Sequence, residues 1–397
     1  MRTTTPTVMA GAALAFFACS SSDFNTPTRL NKVRVLAIQA EPPQPALGAS
    51  TTLRALVYQP PPSADGGAAQ VSVTGYSWSW CPLPMSPSDP SQCPIDQDAA
   101  NQLFAGIPGV PPLDLGTGET ATFTNSFPAP ALAALCAGKL DAIPALAEAA
   151  GSQGGLTASG SLSFGCAIAG FPITVKLVVH TSAGDLPAVF KVYLSVNDNI
   201  AANLNPVVGG ISVTVDKLDH QLDEAGTQGI LRNSSVPVSI DVPPTSSEAV
   251  PDPNDVLPSP APNNPYLHSY GSASERLNMY WFAECGDFGG NGLGGRATGY
   301  IPGDRISTFP IALQNTWNTP KLEGYVAEFA RIIVVVHDNR GGVAWTSGVV
   351  HLGDTKSGPD AGAPDSPEAD SGEPTPDAGA LDSEEADSTD AIAESTP

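Results

Sequence analysis

The sequence predicts an all-β protein made of two tandem β-sandwich domains, and three observations support this fold class. The chain of 397 residues contains 39 glycines and 40 prolines, which is typical of short strands joined by many turns and unfavourable for helical bundles. Two β-hairpin patterns recur at comparable places in the two halves. Each half also has a strand with closely spaced aromatic residues, as expected where bulky side chains fill the space between two packed sheets.

The first 18 residues have the features of a secretory signal peptide. Arg2 is the only charged residue, and an apolar run from 8 to 18 ends in small residues before Cys19. This run is too short for a transmembrane helix, which needs about 20 apolar residues. An ordinary signal peptide followed by an incidental cysteine is the alternative interpretation.

The segment Phe16-Phe17-Ala18-Cys19 resembles the lipobox of bacterial lipoproteins, in which a small residue precedes an obligatory cysteine. The resemblance implies cleavage before Cys19, a diacylglyceryl thioether on its sulfur and acylation of the new amine by a chain such as palmitate. Two or more acyl chains hold a protein firmly on a membrane. Ser20, where an Asp favours inner-membrane retention, indicates the outer membrane. We therefore expect an exported protein of the cell envelope, with residues 19–30 as its lipidated tether.

We assign residues 31–200 to the first domain. The segment 33–58 has two β patterns separated by prolines and a glycine, and GYSWSWC carries aromatic residues at alternate positions of 76–80. ITVKLVVHTSAGDLPAVFKVYLSV, at 173–196, has a polar Gly-containing turn between two β patterns, which predicts a hairpin. An insertion near 128–150 has helix-forming composition and predicts one or two short helices.

We assign residues 201–354 to the second domain. ARIIVVVHDNRGGVAWTSGVVHL, at 330–352, repeats the hairpin pattern, and alignment of His180 with His337 also aligns the turn glycines. NPVVGGISVTVD and VPVSIDVP predict further strands, and NMYWFAEC is the aromatic strand of this half. The proline-rich segment 242–265 cannot form a strand ladder and predicts a long surface loop.

These strand and turn patterns resemble bacterial immunoglobulin-like and PKD-like β-sandwich domains. The opening KVRVLAIQAEPP and the closing VVVHDNRGGVAW are also similar to surface lipoproteins of myxobacterial type. The resemblance covers most of residues 30–353, and its motifs carry no chemistry. It implies the fold of the two domains and leaves their function open.

Five cysteines remain if Cys19 is acylated, and an oxidising compartment would favour disulfides. Cys81 with Cys93, and Cys136 with Cys166, are the sequence-local pairs, although other connectivities fit the sequence equally well. Cys285 would then be left over, either buried or free. The cysteines have neither CxxC spacing nor neighbouring histidines, so a zinc site is not expected.

The acidic charge is concentrated at the C-terminus. Twelve carboxylates lie between Asp360 and Glu394, no Lys or Arg follows Lys356, and the whole chain has a formal net charge of −23. Residues 355–397 are too poor in apolar side chains to offset their chain entropy, which predicts a disordered acidic tail. Without a basic surface, the protein is not expected to bind nucleic acid.

Three motifs suggest a ligand or an active site, and each has a simpler interpretation. Asn197, Asp198 and Asn199 resemble the calcium-binding linker of cadherin-like domains, but calcium needs six to eight oxygens and a polar interdomain turn explains them as well. GNGLGG, at 290–295, fits a dinucleotide motif but no helix pattern follows it, which favours a loop without a cofactor. HDNRGG, at 337–342, could be an active-site loop or a binding tip, but it has the residues that a hairpin turn requires.

No nucleophile or metal motif such as GxSxG, HExxH or SxxK occurs, and the five histidines are scattered. We therefore expect a non-enzymatic, lipid-anchored envelope protein that displays two sandwich domains to bind an unknown protein or polysaccharide, or for adhesion. A periplasmic accessory subunit, docking through a strand edge, is the alternative. A hydrolase with its residues in the insertions is a third hypothesis, which a pocket with a histidine and an acid near a serine would favour.

Overall fold

The computed structural model describes thirteen stretches of the chain. The described residues up to position 354 belong to one compact unit. They are residues 28–61, 70–82, 93, 95–105, 109–136, 166, 170–196, 202–246, 248, 276–289, 296–302, 313–321 and 327–354.

The first sandwich consists of two antiparallel sheets, ordered β1-β2-β5 and β4-β3-β6-β7. Its strands are β1 (Arg34–Glu41), β2 (Ser50–Tyr58), β3 (Val73–Cys81), β4 (Asp114–Gly116), β5 (Thr120–Thr124), β6 (Phe171–Thr181) and β7 (Gly184–Leu194). One apolar core joins the inner faces of both sheets.

The aromatic strand β3 fills the core of this sandwich, as its alternating pattern predicts. Trp78 and Trp80 are each 1 % exposed, and the Trp80 ring meets the Phe123 ring edge-on at a centroid distance of 5.1 Å. Buried indole N–H groups need acceptors. The Trp78 indole donates to the Gly118 carbonyl at 2.9 Å, and the Trp80 indole donates to the Pro112 carbonyl at 2.8 Å.

Two short helices and two disulfides flank this core. Helix α1 (Gln97–Leu103) was not expected from the sequence, although Asp96 is a good N-cap residue and accepts from the Ala99 amide at 2.8 Å. Helix α2 (Ala129–Cys136) opens the predicted helical insertion. The disulfides are Cys81–Cys93 and Cys136–Cys166, the two sequence-local pairs.

The second sandwich consists of two five-stranded sheets, ordered β10-β17-β16-β12-β14 and β13-β15-β11-β8-β9. Trp281 and Trp317 are buried in its core. Among the described residues, its strand pairs are antiparallel except β10 with β17. The strands are β8 (Ile211–Val215), β9 (Leu218–Gln221), β10 (Gly229–Leu231), β11 (Ser235–Ile240), β12 (Arg276–Ala283), β13 (Asp287–Phe288), β14 (Arg296–Pro302), β15 (Gln314–Asn318), β16 (Phe329–His337) and β17 (Val343–Gly353).

The predicted fold class is confirmed: the protein is all-β, with two immunoglobulin-like sandwiches in tandem. Both predicted hairpins form, as β6–β7 and β16–β17, and their turn glycines Gly184 and Gly341 have φ of +124° and +100°. Within the described residues no helix is long and apolar enough to cross a membrane. Several predicted features lie outside the described residues: the signal 1–18, most of the tether including Cys19, most of the loop 242–265, and the tail from 355.

Candidate functional site

Three polar side chains meet on the outer face of the sheet β4-β3-β6-β7. Successive side chains of a strand alternate between faces, so the burial of Trp78 in the core places Ser77 on the outer face of β3. On β6, the burial of Val179 places His180 on the same face. The hairpin register then pairs His180 with Asp185 of β7. Local alternation and strand pairing together bring the three residues into contact.

Their side chains form a continuous hydrogen-bond chain. The Ser77 Oγ lies 2.7 Å from His180 Nε2, and His180 Nδ1 lies 2.8 Å from the Asp185 Oδ1. An ionised carboxylate can only accept, so Nδ1 must carry the proton and donate to Asp185. In the neutral imidazole this leaves Nε2 as an acceptor for the Ser77 hydroxyl. The chain therefore fixes one tautomer and one orientation of the His180 ring.

An open groove borders this chain at the edge of the sheet, with a volume of about 810 Å³. Burial, and secondly the charge of Glu119, raise the pKa of Tyr76 above its usual value, so its hydroxyl stays protonated at neutral pH. The polar residues that line the groove are Gln59, Thr74, Tyr76, Ser77, Thr117, Glu119 and His180.

The backbone of β3 also presents a donor to this groove. The Trp80 amide donates to the Leu113 carbonyl at 2.9 Å, on the side where β4 lies. Alternate residues of a strand direct their N–H groups to the same side, so the Tyr76 amide points that way too. β4 pairs with β3 only at Trp78 and Ser79. The Tyr76 amide therefore lies beyond the end of β4, next to the groove.

A second polar cluster lies at the junction of the two sandwiches, around the turn between β16 and β17. Asp338 Oδ1 accepts from the amides of Arg340 and Gly342, both at 2.7 Å. Its Oδ2 accepts from Asn203 Nδ2 at 3.1 Å. Arg340, 1 % exposed, donates from Nη2 to Gln44 Oε1 of the first sandwich at 3.2 Å. The cluster therefore holds the turn against the first sandwich.

Burial shapes the chemistry of this cluster. The pKa of Asp338 is raised, because removal from water disfavours its charge more than its hydrogen bonds favour it. Arg340 Nη1 lies 3.7 Å from Glu248 Oε2, and Gln44 Oε1 also accepts from the Asn203 amide at 2.9 Å. Because these groups contact one another across the junction, the cluster has a structural role there.

An apolar cluster continues the junction beside these polar groups. Strands β1 and β2 of the first sandwich pack here against β16 and β17 of the second, and the Tyr58 hydroxyl donates to Glu284 Oε1 at 2.8 Å. The first described residues also cross the junction, since the Leu30 amide donates to the Ala283 carbonyl at 2.8 Å. The buried apolar members are Leu30, Ala37, Tyr58, Ile333, Val335 and Val343.

The structure describes some of the candidate site residues identified from the sequence and leaves others outside the described residues. Cys19 and the calcium candidates Asn197, Asp198 and Asn199 lie outside the described residues. Among the residues that are described, no three His, Cys, Asp or Glu side chains cluster closely enough to hold a metal ion. Cys285 is free and buried, and burial raises its pKa to about 12, so its thiol is unreactive at neutral pH.

Sequence reasoning missed the grouping of Ser77, His180 and Asp185. The Ser77 and His180 positions are 103 residues apart, and no spacing motif connects them. The period-two pattern places each on the outer face of its own strand, but only the pairing of β3 with β6 brings them together. The cluster also lies on a sheet, whereas the hydrolase hypothesis expected its residues in the insertions.

Comparisons with known proteins give no family. No protein-family model and no curated protein matches the chain. Among solved structures, the chain is similar to murine CEACAM1b at 9 % identity, covering 81 % of this chain and 100 % of that one, with a TM-score of 0.18. It is similar to three N-terminal domains of the bacteriophage RB49 outer capsid protein Hoc at 10 % identity, with 82 % and 71 % covered and a TM-score of 0.16.

The titin domains z1z2, solved in complex with telethonin, match at 10 % identity, with 80 % and 96 % covered and a TM-score of 0.14. Scores this low carry no argument about function. The assignment to the immunoglobulin-like β-sandwich class therefore rests on the sheets and cores described above.

Proposed function

We propose that this protein is a lipid-anchored component of the cell envelope that displays two immunoglobulin-like sandwiches as one unit, for binding a protein or polysaccharide or for adhesion. The observation that supports this best is the path of the N-terminal segment. The Ala283 amide donates to the Thr28 carbonyl at 3.0 Å, and Arg29 forms a parallel bridge with Ala283. Thr28 and Arg29, which belong to the predicted tether 19–30, are thus held by the second sandwich.

If Cys19 is acylated, the attachment of Thr28 to the second sandwich limits the distance between the sandwiches and the membrane. Eight residues lie between Cys19 and Thr28, so the two are nine positions apart, and an extended chain covers about 3.3–3.6 Å per residue. The junction would lie within roughly 30 Å of the acylated sulfur. Because residues of both sandwiches pack together at the junction, the tether would position the two domains jointly.

Mass spectrometry of the mature N-terminal peptide tests the anchor. A diacylglyceryl group on Cys19, with the amine acylated and residues 1–18 removed, is the expected result. A Cys19→Ser variant should lose both the lipid and the membrane association, while Cys285→Ser serves as the control. An unmodified Cys19 sulfur in protein released to the medium would refute the proposal.

Protease treatment of intact cells separates surface display from the periplasmic alternative. Digestion of the sandwiches from outside supports display on the outer leaflet. Full protection in intact cells, with digestion after the outer membrane is opened, supports an accessory subunit that docks in the periplasm through a strand edge.

A further inference from the structure

We propose that Ser77, His180 and Asp185 form a nucleophile, general base and orienting acid for acyl transfer from small esters without negative charge. This inference goes beyond display and binding, and it departs from the expectation that the protein is not an enzyme. It rests on the hydrogen-bond chain, on the groove beside it and on the backbone amide at the groove's edge.

The order of atoms in the chain suits this role. A serine hydroxyl is a weak nucleophile until an adjacent base takes its proton. His180 Nε2 faces the Ser77 Oγ at 2.7 Å, while Nδ1 faces the Asp185 carboxylate at 2.8 Å. Asp185 thus favours the tautomer with Nε2 free to accept, and it would stabilise the imidazolium once the proton has moved.

The reaction requires only water as a second reactant. The Ser77 Oγ attacks the ester carbonyl carbon, and its proton passes to His180 Nε2. The C–O bond to the alcohol then breaks, and Nε2 returns the proton to the leaving alkoxide, which departs as the alcohol. Water attacks the acyl-serine in the same way, with His180 again accepting and returning the proton, and releases the acid with Ser77 restored.

The groove supplies the remaining parts of the site. The developing oxyanion needs a fixed donor, and the Tyr76 amide is directed to the groove beyond the end of β4. Glu119 lines the groove and Asp185 lies next to it, while none of the described lining residues is a Lys or Arg. An anionic substrate would be repelled, so the expected substrates are neutral or cationic acyl esters.

A fluorophosphonate probe tests the nucleophile on the purified full chain in detergent. We expect covalent labelling, with the modified peptide containing Ser77, and loss of labelling in Ser77→Ala. Ser79→Ala is the matched control, because Ser79 lies two residues along the same strand and on the same face. Equal labelling of the Ser77→Ala and wild-type proteins, or no labelling of the wild type, overturns the proposal.

Hydrolysis of p-nitrophenyl acetate and of butyrylcholine tests the other two groups. His180→Ala should lower kcat about 100-fold or more, the usual size of a general-base effect. Asp185→Asn should lower kcat with little change in KM, and Asp185→Glu should restore part of it, whereas a merely structural role would change the melting temperature alone. Rates in the wild type no higher than in His180→Ala, with both proteins folded by circular dichroism, overturn the proposal.

Discussion

Arg340 shows how single residues join the two sandwiches. Its guanidinium is buried at the junction and contacts Gln44 of the first sandwich, while its own backbone amide donates to Asp338. Removing one partner of a buried charged group leaves the others without compensation, which typically costs about 3–5 kcal/mol. An exposed ion pair contributes about 0–1 kcal/mol.

The Arg340→Ala variant should therefore lower the free energy of unfolding in urea by about 3 kcal/mol or more. Arg331→Ala is the control, since Arg331 pairs with Glu224 at 3.0 Å on the surface and its side chain is 38 % exposed. We expect a loss of less than about 1 kcal/mol for the control. Equal losses in the two variants would show that the junction cluster contributes nothing beyond a surface pair.

His337 makes stability depend on pH. Burial lowers its pKa from 6.5 to about 4, so the folded state binds its proton less readily than the unfolded chain does. This contribution to stability is complete above pH 6.5 and is lost as the pH falls toward 4, by roughly 2–3 kcal/mol at pH 4.5.

His337→Gln should accordingly reduce the loss of unfolding free energy between pH 7 and pH 4.5, measured by urea titration at both values. His220→Gln, on the edge strand β9, is the control for a His→Gln substitution elsewhere in the second sandwich. The carboxylates are present in the wild type and in both variants, so the comparison removes their contribution to the pH dependence. One of them is Asp338, whose raised pKa makes the folded state more stable as the pH falls, which is opposite to the effect of His337. An unchanged loss in His337→Gln contradicts the assignment.

Sequence patterns predict secondary-structure elements correctly where the pattern lies within one short segment of the chain. The hairpins β6–β7 and β16–β17 were predictable because each combines two β-rich runs with a short Gly-containing turn. The aromatic strand β3 was predictable from period two. Helix α1 was missed although Asp96 is a standard N-cap residue, because a seven-residue helix carries little periodicity. The outer-face cluster of Ser77 needs the pairing of distant strands, which no local pattern contains.

Alanine substitutions at the turn glycines of the two hairpins distinguish the cost of backbone strain from the cost of a contact between the sandwiches. Gly341 and Gly184 both have positive φ, but an added Cβ at Gly341 would lie 2.6 Å from a ring carbon of Tyr193, whereas no atom of the described residues lies within 4 Å at Gly184. Each Ala variant should lose about 1–2 kcal/mol from the backbone conformation.

Gly341→Ala should lose a further 1–3 kcal/mol or so, because Tyr193 belongs to β7 of the first sandwich and must move. Thermal unfolding of both variants, followed by circular dichroism, measures the difference. If Gly184→Ala is as destabilising as Gly341→Ala, the turn of the second hairpin makes no demanding contact with the first sandwich.

For the whole molecule, strand β16 belongs to two cores. Ile333 and Val335 face the first sandwich, while Val334 and Val336 face the core of their own sandwich, and all four are nearly inaccessible to solvent. A strand buried on both faces has a continuous apolar run instead of alternation. The apolar run IIVVV therefore indicated that both faces of this strand are buried, one of them at the junction. The hairpin prediction did not take this into account.

This packing predicts that the described part of the protein unfolds as one cooperative unit. We expect a single calorimetric transition whose van't Hoff and calorimetric enthalpies agree. Paired deletions on β16 test the reason, because Ile333→Ala with Val335→Ala removes methyl groups from the junction, and Val334→Ala with Val336→Ala removes similar groups from the second core.

Both double variants should be destabilised by several kcal/mol, by the usual cost of emptying a packed site. Only the junction pair should split the transition into two, since it weakens contact between the sandwiches while leaving both cores filled. The core pair should instead destabilise the second sandwich and the contacts it makes, and melt in one step at a lower temperature. A single transition in the junction pair, or separate transitions in the wild type, would show that the sandwiches do not stabilise each other through β16.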